Sequence, residues 1–255
     1  MRDARRELLL ALADDELVTG HRVSHWTGVA PSLEEDLAFS TIAQDEINHA
    51  DVWYQVLVGE VDDVRAAVDA LGLGRRPDEY RHAVLCEQEP GDFAYSLARH
   101  WLYDHADTIR LRSLGGSSDP DIAAVASKLV HEERYHVEHA DLWFARLTAR
   151  TDDARSRLAA AMEVALPQAV WLFEPIDGED VLIETGVMPE LSATLQDRWA
   201  TQVTQALRDA GIAMDVPAPD FTTPGGRRGV HGPAFTDDVW PEMTGLYRAH
   251  PGAVW

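Results

Sequence analysis

Glu46-Ile47-Asn48-His49 sets a carboxylate and an imidazole three positions apart inside an apolar-periodic stretch. On a helix, positions i and i+3 share a face, so both side chains point to the same side. The stretch reads as a helix over about 33–58, with Leu37, Ile42, Glu46, His49, Ala50 and Trp53 on one stripe. Ser32 and Glu35 stand at capping-box spacing at its start. A second such motif, Glu133-Arg134-Tyr135-His136, falls in a helix expected over 120–149 and opened by Asp119-Pro120. Its inward stripe is Ala126, Leu129, Glu133, His136 and Ala140.

One motif alone carries little weight, since 18 glutamates and 11 histidines in 255 positions give roughly one Glu-x-x-His match by chance. A third match, Glu79-Tyr80-Arg81-His82, follows Arg75-Arg76-Pro77 and reads as a surface coincidence. The other two gain weight from what precedes them. Glu16 lies on an expected helix over about 5–25, with Leu8, Leu9, Leu12 and Val23 near helical spacing. Asp104 lies on another over about 92–114, with Leu97, Trp101 and Leu111 on its face. Each acid stands about 30 residues before its motif, on the preceding helix. Antiparallel neighbours of that length return a carboxylate to the depth of the motif.

The expected fold is therefore all-α: a ferritin-like four-helix bundle with additional C-terminal helices and an irregular tail. It is read as one domain over 1–255, with a core bundle over about 5–149 and extra helices and tail over about 150–255. The extra helices are expected over 151–173 and 190–210. The crossover over 60–89 is expected to hold one or two short helices, and the tail is richest in Pro and Gly over 216–233.

Four carboxylates and two histidines, one acid and one Glu-x-x-His per half, are the donor set of a carboxylate-bridged di-iron site. Glu16, Glu46, His49, Asp104, Glu133 and His136 are the expected metal ligands, holding two iron ions, with manganese compatible with the same donors. Buried together, four acids repel one another unless cations neutralise them. Asp14 and Asp15 adjoin Glu16, and Asp107 competes with Asp104 at poorer spacing. His21, His25, His100 and His105 flank the site as helix-face residues or supporting partners. Asp45 and Glu132 are read as supports for the histidines or for Arg134.

The net charge of −22 opposes binding to nucleic acid or anionic membranes. No apolar run is long enough to span a bilayer. The opening Leu8 to Ala13 run is cut short by Asp14-Asp15-Glu16, so no export signal is expected and the chain is read as cytoplasmic. The single cysteine, Cys86, excludes an internal disulfide framework.

Several local signatures extend beyond the ligands. They are Leu17-Val18 with Arg22 and Trp26, Glu132 beside Arg134-Tyr135-His136, the tail Gly225-Gly226-Arg227-Arg228-Gly229-Val230-His231, and the closing Pro251-Gly252-Ala253-Val254-Trp255. On these the chain resembles, nearly end to end, the A/C subunit family of the bacterial multicomponent phenylacetyl-CoA epoxidase, in features nearest the C type. The resemblance implies a ferritin-like fold and a part in aerobic phenylacetate breakdown. It also implies a di-iron monooxygenase that epoxidises the aromatic ring of phenylacetyl-CoA, with an A-type oxygenase subunit as partner and electrons from an NADPH-dependent reductase. The typical C-type member of that family lacks the residues corresponding to Glu46, His49 and Glu133. This chain keeps them and follows the A-type arrangement, including Asp104. An acyl-CoA substrate needs cationic contacts for its phosphates, and Arg227 and Arg228 are the candidates, with an interface role as the alternative. A hetero- or homo-oligomer is expected. Two other functions stay open at this point: a non-catalytic structural partner subunit, and a stand-alone di-metal oxidase.

Overall fold

A computed structural model describes residues 2–253 of the chain. Val254 and Trp255 of the closing signature lie outside the described residues. Among those described, the secondary structure is helical throughout, with no strand. Among the described residues, no helix is long and apolar enough to cross a membrane. The chain divides into two compact units, one running to Glu89 and resuming at Pro224, the other Pro90–Thr223.

The first unit is built on α1 (Arg2–Ser24) and α2 (Leu33–Val58). Ser32 caps α2 through the Glu35 amide. The pair is antiparallel: Asp14 meets Tyr54 near one end, and Thr27 meets Ser40 near the other. Gly20 permits the close approach between them. A Cβ at that position would lie 2.9 Å from Glu46 Cβ and 3.0 Å from the Ala43 carbonyl oxygen. The α2 stripe is buried from Ile42 through Trp53, but Leu37 is exposed. At 3.6 residues per turn it lies about 140° round the helix from Ile42, while Glu35 and Phe39 on either side of it are buried, so its place on the expected stripe is corrected. The crossover supplies α3 (Val64–Leu73), a short 3-10 turn and α4 (Val84–Glu87).

The second unit is built on α5 (Phe93–Leu114) and α6 (Pro120–Ala149). Asp92 caps α5 through the Tyr95 amide, and Asp119 caps α6 through the amides of Asp121 and Ile122. The short turn between Leu114 and Pro120, with Trp101 and His100 early in α5 meeting Asp141 and His139 late in α6, sets them antiparallel. Then follow α7 (Asp152–Ala169), a 3-10 turn over Val170–Phe173, α8 (Glu179–Glu184) and α9 (Ser192–Asp209). Trp199 of α9 is fully buried and donates its indole N–H to the Leu102 carbonyl at 3.1 Å. Donation to a carbonyl is the usual requirement for burying an indole. The short α8 carries no clear sequence signal and is an addition to the expected helices.

The tail returns to the first unit and ends in α10 (Trp240–Ala249), a second addition to the expected helices. Its glycine-rich start is a clasp. A Cβ on Gly226 would sit 1.9 Å from the His82 carbonyl oxygen, so only glycine fits there. Arg227 is 3% exposed and reaches Asp15 of α1. His231 Nδ1 lies 3.1 Å from Glu87, whose carboxylate also meets His82 at 3.0 Å. The two imidazoles stack with centroids 4.0 Å apart. Arg22 completes the clasp, donating to the Glu87 and Ala234 carbonyls and pairing with Asp238 at 2.7 Å.

This corrects the reading of Glu79-x-x-His82 as a surface coincidence. Glu79 ends the 3-10 turn and caps Arg76, while His82 is fully buried in the clasp. The two do not share a helix face, because the chain leaves helical geometry at Tyr80.

Candidate metal centre

Each unit carries one buried triad. In the first, Glu16, Glu46 and His49 are 1%, 0% and 2% exposed, and each presents a ligand atom within 4.8 Å of the others. In the second, Asp104, Glu133 and His136 are 0%, 0% and 2% exposed and converge within the same distance. Both triads have one composition: two carboxylates and one imidazole, with one acid from the first helix of the pair and the Glu-x-x-His from the second.

Neighbouring acids are held by cations of their own. Asp14 accepts from the Tyr54 hydroxyl at 2.5 Å, from Arg75 Nη1 at 3.0 Å and from the Arg81 amide at 2.7 Å. Burial, and then the Asp14 charge beside it, push the Tyr54 phenol well above its ordinary range, so it remains a neutral donor. Asp15 takes two 2.7 Å hydrogen bonds from Arg227 and one from the Ala83 amide. Asp107, fully buried, is bonded to Arg110 at 2.7 Å. The three acids that competed in sequence with Glu16 and Asp104 are thus compensated by arginine. The triads hold their acids beside histidine and one another, which is the arrangement a divalent cation neutralises.

Supporting partners are visible in the second triad. His100 Nδ1 lies 3.1 Å from Asp104 Oδ2, and His139 Nδ1 lies 3.3 Å from His100 Nε2. His139 is not singled out by the sequence motifs, though it stands three positions past His136 and so on the same helix face. His105 faces outward, with Nε2 3.0 Å from Asp141. Glu132 pairs with Lys128 at 3.5 Å and Arg134 with Glu138 at 3.3 Å on the solvent side of α6. The expected Glu132–Arg134 support is replaced by these i,i+4 pairs. Asp45 is half-buried. His21 and His25 converge on Glu242 of α10.

Of the two cationic candidates, Arg227 is enclosed and bonded to Asp15 and to the Arg81 carbonyl. Arg228 is exposed. Cys86 is buried beside Asp15, with Sγ 3.5 Å from its carboxylate.

Similarity to known proteins follows the same lines. The family described as "Phenylacetic acid catabolic protein" matches residues 1–255. The C component of the 1,2-phenylacetyl-CoA epoxidase of Escherichia coli (strain K12) is 30% identical over 252 residues, covering 96% of this chain and 97% of that protein.

Proposed function

The chain belongs to the phenylacetic acid catabolic protein family, and from that premise we propose that it is a subunit of a multicomponent di-iron monooxygenase acting on phenylacetyl-CoA. In that reading the chain counts as one ferritin-like domain, and each unit's triad would supply two carboxylates and one imidazole to iron. The observation that carries this reading is the duplication of one buried donor set, two carboxylates and an imidazole, in each unit. Hard oxygen donors with one nitrogen per metal suit iron, and manganese by the same chemistry.

Glu16, Glu46 and His49 would hold iron in the first unit, and Asp104, Glu133 and His136 would hold it in the second. Two ferrous ions, when bound, supply the reduction of O₂ and the transfer of one oxygen atom to the aromatic ring. The protein's part is positional and electrostatic. Gly20 lets Glu46 stand close to α1. His100 holds one oxygen of Asp104, which fixes the carboxylate's orientation. Arg227, Arg75 and Arg110 neutralise Asp15, Asp14 and Asp107, so these three acids have cations of their own. Arg228 is the exposed cation for the CoA phosphates; Arg227, bonded to Asp15, supports α1. An A-type oxygenase partner and an NADPH-dependent reductase are the expected companions.

The test is elemental analysis of protein purified from iron-supplemented cells, beside His49→Ala and His136→Ala. About two irons per chain in the parent protein, with less in each variant, is the expected result. Near-zero iron that reconstitution does not restore would sink the catalytic reading and leave the chain a structural partner in the complex.

A further inference from the structure

His21 and His25 are spaced i,i+4, so both rings fall on one side at the end of α1. Their Nε2 atoms point at a single oxygen, Glu242 Oε2 of α10, at 3.5 and 3.2 Å. Both nitrogens are shielded from solvent, and neither makes a well-aligned hydrogen bond. Those separations have another meaning. Two ligands bonded to zinc at 2.0–2.1 Å in tetrahedral geometry stand about 3.3 Å apart. The two separations from Glu242 Oε2 to the imidazole nitrogens therefore match edges of such a tetrahedron, and one ligand atom from each residue lies within 4.8 Å of the others.

We propose that His21, His25 and Glu242 bind one zinc ion, which ties α10 to the end of α1. Two imidazoles and one carboxylate are a common zinc donor set, and the partly exposed carboxylate, 54% accessible, leaves a fourth position for water. Burial, offset in part by Glu242, lowers the basicity of His21 and favours the neutral form that ligates. The charged neighbour Arg22 does not compete, because its guanidinium is turned to the Glu87 carbonyl and Asp238. The site is distinct from the triads: it uses none of their residues and lies within the first unit, where α10 of the tail meets the end of α1.

The experiment is equilibrium dialysis of tag-free, chelator-stripped protein against Zn²⁺ alone, read by elemental analysis, for the parent chain, His25→Ala and Glu242→Ala. Zinc held by the triads cancels in the difference. The parent chain is expected to hold one zinc more than either variant, and zinc is expected to raise its melting temperature more than theirs. Iron loading should be equal in all three. Equal zinc content in parent and variants would overturn the proposal. Should His25→Ala fail to fold by circular dichroism, Glu242→Ala, at a more exposed position, decides the question alone.

Discussion

Arg227 and Asp15 stand 212 residues apart in the sequence and form a buried two-pronged ion pair, with Nη1–Oδ1 and Nη2–Oδ2 both at 2.7 Å. The pair joins the tail to α1 one residue from Glu16. Removing one partner leaves the other charged and buried, which costs about 3–5 kcal/mol. Arg227→Ala should therefore lower the urea midpoint sharply, and Asp15→Ala should do likewise. The double variant should cost clearly less than the sum of the two. Additive losses would mean that the two side chains act independently.

Gly20 faces backbone and a Cβ rather than flexible chain ends, so the intruding methyl of Gly20→Ala must push α1 from α2. Overpacking costs about 1–3 kcal/mol, against a gain of about 1 kcal/mol from better helix propensity. A net loss of stability is expected, together with reduced iron content, because Glu46 moves away from Glu16. Calorimetry and elemental analysis check both; unchanged iron would separate this contact from the triad.

Three of the four helices that carry the six residues were legible because each combines a cap with a periodic apolar stripe: Ser32, Asp92 and Asp119 mark starts, and Gly115 a stop; α1 rests on its stripe alone. Glu46 and His49 could be placed inward for the same reason. Leu37 does not belong with them: at 3.6 residues per turn it falls about 140° round the helix from Ile42, on the exposed face. The tail was the least legible part. Its glycines and Arg227 are explained by partners more than 140 residues away, such as the His82 carbonyl and Asp15, and no local pattern encodes such a partner. Arg227 therefore read as a ligand cation when its place is inside the clasp.

Acid should loosen that clasp. Burial, and then the neighbouring His231, lower His82 from its ordinary 6.5 to about 4. The folded state then binds fewer protons than the unfolded chain between those values, so stability rises with pH there and falls as pH drops from about 6.5 to about 4. Burial would push Glu87 upward, but hydrogen bonds from His231 and His82 outweigh it and bring Glu87 to about 2. Its contribution is present above about 4.5 and is lost towards pH 2. Urea midpoints measured across about pH 4–7 should show this slope, and His82→Gln should flatten its upper part. An unchanged slope in that variant would assign the acid sensitivity elsewhere.

Structural and ligand acids should answer to substitution with opposite signs. Asp14→Asn removes the charge facing buried Arg75, so it should cost about 3–5 kcal/mol and leave the metal donors in place. Glu46→Gln instead removes one of two acids whose oxygens lie within 4.8 Å in the first triad. Two like charges at that distance repel by about 3 kcal/mol at an effective dielectric of about 20. In chelator-treated protein Glu46→Gln should thus be neutral or stabilising, while iron content falls. Glu133→Gln should behave the same way in the second triad. Unfolding curves measured in chelator, paired with elemental analysis, give both readouts on one preparation. A Glu46→Gln variant destabilised as much as Asp14→Asn, with iron unchanged, would make Glu46 a core residue held by its own fold and would remove it from the metal centre.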